Sequence, residues 1–249
     1  MANERKAKGS QLSQTQKDKF NNRQKYRLKF CKKGPVRFIG HLDLQSLFAM
    51  AIKRANLPVA YSEGFNPHQL ISFALPLSLG YYSNAEYVDI TMAKALDTRE
   101  LVEKLNENMP EGIKIFAAKM VGEDEKSSAA SIAACDYKVT LPDDKPISYD
   151  IAVEFIKQKS IIVSKKTKST VADTDIKPDI YSFMPVTEGS LLKELSMRIS
   201  AGPKRSIRAD LLMKALYSFA DLPYPEFELK FCREEMHVES GKDSPLMAL

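Results

Sequence analysis

Cysteines and long apolar segments are scarce in this sequence of 249 residues. The three cysteines are odd in number, far apart and without CxxC spacing, so the sequence predicts neither a disulfide framework nor a zinc knuckle. No apolar run approaches the roughly 18 residues that a membrane-spanning helix needs, and the polar, basic N-terminus lacks the apolar block of a secretory signal. These absences predict a soluble, cytoplasmic protein without membrane contact.

Motifs of the common enzyme classes are also missing. The sequence contains no Walker loop, no GxGxxG after a strand, no GxSxG and no CxxxCxxC cluster of the kind that holds a radical SAM iron–sulfur centre. Histidines, cysteines and carboxylates show no HxxxH, HxxE or CxxC spacing, so we expect no metal site and no cofactor. The pattern favours a protein that is not an enzyme.

Positive charge is concentrated at the N-terminus. Residues 1–25 carry seven Lys and Arg side chains and two carboxylates, which accounts for the whole formal net charge of +5. The stretch is rich in Gln, Asn and Ser and poor in apolar residues, so we interpret residues 1–24 as a disordered basic arm. Such an arm either touches nucleic-acid phosphates or only keeps the protein in solution.

Hydrophobic periodicity predicts two similar α+β units. "YRLKF" (26–30) alternates as a half-buried strand, whereas the apolar residues from Leu44 to Ala55 follow helical spacing. The segments that follow complete the order β-α-β-β-α-β, which is that of a ferredoxin-like domain, and a less regular copy of this order comes next. The predicted fold is therefore α+β, with tandem ferredoxin-like (βαββαβ) domains and antiparallel sheets.

Changes in composition set the predicted domain boundaries. The first domain covers residues 25–121, a polar linker covers 122–135, and the second domain covers 136–239. In the second domain, "SIIVSKK" (160–166) is assigned as the second strand. An insertion at about 167–190 follows it, in which "DIYSFMPV" is a candidate additional strand. Residues 240–249 are predicted to form a flexible tail.

Two short segments concentrate polar, aromatic and basic side chains. "RFIGHLDL" (37–44) leads into the first helix, where free backbone N–H groups and the positive end of the helix dipole favour an anion such as phosphate. "YSEGFNPHQLISF" (61–73) connects that helix to the next strand and combines turn-forming residues with flat rings. The candidate binding residues are Lys32, Lys33, Arg37, His41, Asp43, Tyr61, Glu63, Phe65, Asn66 and His68.

Three roles are open for these residues. In the first, the basic segment contacts phosphate while residues 61–68 hold an unstacked base or a peptide. In the second, His41 acts as a general acid or base in RNA cleavage beside a cation that stabilises the phosphorane. In the third, the residues only cap the helix and brace the turn. The first role predicts one shared surface, on which His41 and His68 lie close together.

A second basic turn precedes the last predicted helix. "SAGPKRSIRAD" (200–210) places Lys204, Arg205 and Arg208 at a helix start, which makes it a candidate secondary phosphate contact. An ordinary solvated turn has the same composition. The sequence leaves both interpretations open.

Most of residues 25–120 resemble a known family. "GHLDL", "YSEGFNPHQLISFALPLSLG" and "AEYVDI" occur in the order and at the spacing of the radical SAM-linked (radical SAM-associated) proteins, a bacterial domain of unknown function. The likeness is looser beyond Asp136. The resemblance implies a cytoplasmic bacterial protein whose partner is a radical SAM enzyme, and it gives an associational hint toward RNA or the ribosome.

The predicted architecture is also similar to that of the repeat-processing endoribonucleases of CRISPR systems. Those enzymes cut RNA without metal and carry a glycine-rich loop near the C-terminus, for which "SAGPKRS" contains little glycine. The balanced charge of the body of the chain also disfavours a cleavage groove, because an RNA groove needs clustered cations.

The function predicted from the sequence is a noncatalytic adaptor. It binds RNA or a ribosome-associated substrate and presents it to a radical SAM enzyme. The alternatives are a metal-independent endoribonuclease that uses His41, and a protein-only scaffold that docks through a sheet edge or through apolar helix faces.

Overall fold

The computed structural model describes residues 22–122, 124–166, 171–203, 205–239 and 242–247. Nearly all of the predicted basic arm lies outside these ranges, as do Lys204 and parts of the predicted insertion and tail. Within the described ranges, no helix combines the length and the apolar character that crossing a membrane requires.

The first half of the chain follows the predicted order of elements. Tyr26, Leu28 and Phe30 are buried on alternate positions of the first strand, and Leu44 and Phe48 form part of the buried stripe of the first helix. The elements are β1 (Gln24–Lys32), a single 3-10 turn (Gly34–Phe38), α1 (His41–Arg54), β2 (Ile71–Phe73), β3 (Tyr82–Met92), α2 (Thr98–Asn106) and β4 (Ile113–Val121).

The second half repeats this order and adds a hairpin. A short helix begins the half inside the segment predicted to be a linker. The elements are α3 (Ser128–Ser131), β5 (Ala134–Thr140), α4 (Tyr149–Lys157), β6 (Ile162–Lys166), β7 (Val171–Asp175), a 3-10 turn (Lys177–Asp179), β8 (Ile180–Glu188), β9 (Leu191–Ser200), α5 (Ala209–Phe219) and β10 (Lys230–His237).

One large sheet runs through both halves. Its strand order is β4-β1-β3-β10-β5-β9-β8, and β2 also pairs with β3. All pairs are antiparallel except β3 with β10, which pair in parallel at Tyr82 with Cys232 and at Ser83 with Arg233. The predicted α+β class is confirmed by this mostly antiparallel sheet and its helices.

The edge of the second half differs from the sequence prediction. Among the described residues, β6 pairs with β7 alone in a separate two-stranded sheet, so the assignment of residues 160–166 to the main sheet is wrong. β8, the candidate additional strand, occupies the edge beside β9. Gly189 and Ser190 alone separate these strands, and Gly189 has φ 63°. A two-residue turn closes a hairpin at low entropic cost, which explains why β8 prevails over the more distant β6.

A buried ion pair joins the two halves where β3 meets β10. Arg233 is 2% exposed, and its Nη1 lies 3.0 and 3.2 Å from the two carboxylate oxygens of Glu86. The same guanidinium donates to the carbonyls of Leu75 at 3.3 Å and Pro76 at 3.1 Å, and to the hydroxyl of Tyr137 at 3.1 Å. One side chain therefore connects β3, the segment after β2, and β5.

A second buried pair attaches the predicted linker to the sheet. Asp89 accepts from Arg27 Nε at 2.8 Å, from Arg27 Nη2 at 3.1 Å and from the backbone N–H of Ser128 at 2.8 Å. Arg27 also donates to the carbonyl of Lys126 at 2.9 Å. The segment between the two halves is thus packed on β1 and β3.

Candidate functional site

The turn between β1 and α1 is fixed from the protein interior. Lys32 is 2% exposed, and its Nζ donates to the carbonyl of Ile39 at 2.8 Å. Burial lowers the pKa of Lys32, because the ammonium group has lost its water. The backbone N–H of Lys33 donates to the carbonyl of Gly112 at 2.8 Å. The predicted phosphate contact of Lys32 does not fit this position; Lys32 instead supports the turn at 34–38.

Arg37 is held on this turn between two rings. Its guanidinium carbon lies 4.4 Å from the ring centroid of Phe38 and 4.6 Å from that of Tyr82. Its Nη1 also donates to the Tyr82 hydroxyl. Arg37 therefore has a defined orientation without a carboxylate partner in the described part of the chain.

Arg37 and Arg208 line the same cleft between the two halves, which has a volume of about 840 Å³. The turn at 34–38 and the segment 78–82 form one side, and the start of α5 and the segment 224–231 form the other. The fold thus brings together two basic segments that the sequence predicted separately. We call this feature the junction cleft.

Most charges on the α5 side of the junction cleft are paired. Arg208 binds Asp210 through Nε at 2.9 Å and Nη2 at 2.7 Å, although the Arg208 side chain is mostly exposed. Lys214 Nζ lies 3.6 Å from Glu226. The carboxylates of this side are therefore partly neutralised by neighbouring cations.

Two further cations give the junction cleft a surplus of positive charge. Arg37 and Lys230 both line it and form no ion pair within the described residues. The remaining carboxylate of the lining, Glu228, binds Lys145. An anionic ligand would meet more positive than negative charge in this cleft.

Aromatic rings form much of the remaining lining. Tyr81 stacks on Phe231 with ring centroids 4.5 Å apart and an interplanar angle of 4°. Burial raises the pKa values of Tyr81 and Tyr224, so both phenols stay neutral at physiological pH. Phe38 and Phe227 are different, because 59% and 93% of these residues remain exposed. The junction cleft therefore offers exposed aromatic surface, most fully on Phe227.

The sequence prediction missed the aromatic residues of this cleft. Phe38 lies inside the segment "RFIGHLDL" beside Arg37, and Phe227 follows "DLPYPE" between α5 and β10. The sequence pattern instead places both rings in alternating, strand-like runs, Val36 with Phe38 and Phe227 with Leu229 and Phe231, which predicts strands rather than a ligand site. An aromatic residue among prolines and charged residues outside regular elements is the signal that could have identified Phe227.

His41 begins α1 but does not line the junction cleft. Its ring packs edge-on against Phe73, with centroids 5.5 Å apart at 78°. Asp43 Oδ2 accepts from the backbone N–H of Gly40 at 3.2 Å. Asp43 therefore has the capping contact that the sequence analysis gave as a structural alternative.

Residues 61–68 form a closed loop, which we call the Phe65 loop. Its base is clasped by Ser62, whose N–H donates to the carbonyl of His68 at 2.8 Å. The Ser62 Oγ accepts from the His68 N–H at 3.1 Å and lies 2.8 Å from His68 Nδ1. Phe65 and Asn66 are exposed on this clasped loop.

The other predicted residues of the Phe65 loop are also at the surface. Tyr61 and Glu63 are exposed. Arg23 Nη2 lies 3.1 Å from Glu63 Oε1 and 3.4 Å from the carbonyl oxygen of Tyr61, which fixes the first turn of the loop to the start of β1. Glu63 is the only Asp, Glu, Lys or Arg within residues 61–68, so the loop itself supplies no Lys or Arg for a phosphate.

The structure does not bring His41 and His68 into contact. His41 lies against Phe73 at the end of β2, whereas His68 precedes the other end of this strand. Gln69, the residue after His68, donates through Nε2 to the carbonyl of Ala49 at 3.3 Å, a position about 12 Å further along α1 than His41. The single surface predicted from the sequence is therefore divided into the junction cleft and the Phe65 loop.

The remaining basic candidates lie in different places. Lys33 is exposed beside the turn at 34–38. Arg205 Nε lies 2.7 Å from Asp179, and Arg205 lines a different cavity of about 680 Å³. Lys204 lies outside the described residues. Within the described part of the second basic turn, Arg208 is the residue that joins the junction cleft.

The third histidine has a structural environment. His237 is buried, and its Nε2 lies 2.9 Å from Asp136 Oδ2. Its Nδ1 accepts from the backbone N–H of Ser244 at 3.1 Å, which attaches the C-terminal segment to β10. No group of three or more His, Cys, Asp or Glu side chains within the described ranges is placed to hold a metal ion.

A protein-family model covers most of the chain. A family described as "Uncharacterized protein conserved in bacteria (DUF2344)" matches residues 25–209. The matched region starts in β1 and ends at the first residue of α5, so it contains both Arg37 and Arg208. A comparison with curated proteins finds no match. These results name neither a radical SAM enzyme nor a CRISPR nuclease, so both resemblances stay predictions.

Proposed function

We propose that this chain, which belongs to the DUF2344 family of uncharacterized bacterial proteins, is a noncatalytic cytoplasmic adaptor. It binds RNA and presents it to a radical SAM enzyme. The observation that carries the proposal is the convergence of Arg37 and Arg208 on one cleft whose rings Phe38 and Phe227 are exposed. Cations contact the RNA backbone and ring faces contact unpaired bases, which is the usual division of roles in such proteins.

We also propose that the two halves are tandem ferredoxin-like repeats. The equivalent strands stand in the order fourth, first, third, second in both halves, as β4-β1-β3-β2 and as β10-β5-β9-β8. Each half has one helix after its first strand and another before its fourth strand. This repetition supports a duplicated unit, with the junction cleft formed where the copies meet.

Replacing both Arg37 and Arg208 by glutamine should weaken RNA binding by roughly 10- to 30-fold at about 0.1 M salt, because each lost phosphate contact removes one released counterion. The plot of log affinity against log salt should become shallower by about 1.4 for a single-stranded RNA. Both quantities can be measured by fluorescence anisotropy with a labelled RNA.

The matched control for this experiment replaces Arg54 and Arg99 by glutamine. Both residues are exposed and neither lines the junction cleft, so the net charge changes equally. Equal losses in the two double variants would show that RNA responds only to net charge, and the proposed cleft would be wrong.

The endoribonuclease alternative predicts new RNA ends after incubation in EDTA, and their loss in His41→Ala. We expect intact RNA with both proteins, since His41 packs against Phe73 and lies outside the junction cleft. RNA cleavage that depends on His41 would contradict the adaptor hypothesis and support the endoribonuclease.

The Phe65 loop is proposed as the contact with the partner enzyme. A photo-crosslinking amino acid at position 65 should capture a radical SAM protein in cells, because the fully exposed ring on a clasped loop can serve as an anchor in an apolar pocket. Phe65→Ala should weaken binding to the captured protein without changing the melting temperature or the RNA affinity. A crosslinker at exposed Glu111 is the control, and capture of RNA alone at position 65 would contradict this assignment.

A further inference from the structure

The junction cleft contains a cation that is held in one orientation. Arg37 lies over the rings of Phe38 and Tyr82, 4.4 and 4.6 Å from their centroids, and donates to the Tyr82 hydroxyl. A planar guanidinium in this arrangement has little freedom left to lose when a ligand binds. A binding site for phosphate alone requires a cation but does not require aromatic rings beside it.

The exposed rings add a second, independent feature. Phe38 is 59% exposed and Phe227 is 93% exposed, and both line the cleft that also contains the stacked pair Tyr81 and Phe231. Large apolar rings left uncovered beside a cleft mark a contact surface for a ligand. The ligand that matches uncovered rings and surplus positive charge has flat apolar faces and negative charge on the same molecule.

We infer that the junction cleft binds an unstacked base of a single-stranded nucleic acid together with its adjacent phosphates. This inference rests on the proposed RNA binding and names the part of the RNA that is recognised. In a duplex the base faces are covered by their neighbours, whereas a single strand leaves them available to Phe side chains, with cations placed for the adjacent phosphates. The cleft volume of about 840 Å³ is within the range of small-ligand sites, so it admits nucleotide-sized groups.

Phe227 provides the most direct test, because its exposure makes damage to folding by substitution small. Phe227→Ala should reduce the affinity for a labelled 12-nucleotide single strand by roughly 5- to 150-fold, the range for loss of one stacked base. The salt dependence should stay unchanged, since no cation is removed. Phe227→Tyr should retain most of the affinity, and Phe116→Ala, which changes an exposed ring outside the cleft, should have no effect.

The same measurement should be made with three probes of one sequence: single-stranded RNA, single-stranded DNA and duplex RNA. The inference predicts binding of a single strand, a much weaker response to the duplex, and sensitivity to Phe227→Ala. It is overturned if the single strand and the duplex bind equally well, or if Phe227→Ala binds the single strand like the unchanged protein. Binding of single-stranded DNA alone would refute the proposed RNA adaptor while keeping the base-stacking site, and absence of binding to all three would refute both.

Discussion

Replacing Arg233 by methionine should lower the free energy of unfolding by about 3–5 kcal/mol, the cost of removing one partner from a buried ion pair. The substitution leaves the buried Glu86 carboxylate without its ion-pair partner, and it removes donors from the carbonyls of Leu75 and Pro76. Burial already raises the pKa of Glu86, and the charge of Arg233 offsets part of that effect. Urea denaturation followed by circular dichroism would measure the change.

Two further variants identify the cause of this loss. The double variant Glu86→Gln and Arg233→Met removes both charges of the pair, so it should regain part of the stability. Lys104→Met removes the surface partner of Glu100, and its cost should be only about 0.5 kcal/mol or less. If the double variant were as unstable as Arg233→Met alone, packing rather than the buried charge would explain the effect.

Arg233 also shows which part of the fold could not be predicted from the sequence. β1, α1 and β4 follow from local periodicity, because alternation and helical spacing reflect which side of an element is buried. In "KFCREEMH", however, Arg233 occupies a position that looks solvent-exposed, whereas the structure buries it against Glu86, which is 147 residues away. The parallel contact between β3 and β10 depends on this distant pairing, for which no local pattern exists.

Prediction of the candidate site was limited in the same way. Basic residues before a helix suggested Arg37 and Arg208, and both line the junction cleft. The same reasoning included Lys32, although its position at the end of β1 turns its side chain into the interior. It also joined His41 with His68, because a connection of about ten residues is long enough to fold back toward the start of α1, and its length alone does not show that it stays at the far end. A sequence identifies the residue types at a site, while the pairing of strands decides which of them meet.

Gly112→Ala should link this packing to RNA binding. Gly112 has φ 93°, and a Cβ atom there would lie 2.3 Å from the carbonyl oxygen of Lys33 and 2.8 Å from Val36 Cγ2. The unfavourable dihedral costs about 1–2 kcal/mol and overpacking about 1–3 kcal/mol, so a loss of about 3 kcal/mol is expected. The turn at 34–38 must also move, because Lys33 and Val36 belong to it or adjoin it.

The displaced turn carries Arg37 and Phe38, so Gly112→Ala should weaken single-stranded RNA binding even at a temperature where the variant is folded. Gly189→Ala is the matched control, since it also has positive φ, 63°, but no atom lies within 4 Å of the added Cβ. It should lose only about 1–2 kcal/mol of unfolding free energy and keep its RNA affinity.

Adding Val36→Ala to Gly112→Ala should not restore stability, because the backbone contact with Lys33 remains. Equal behaviour of the two glycine variants would mean that the turn adapts, and that the packing of Gly112 does not position Arg37.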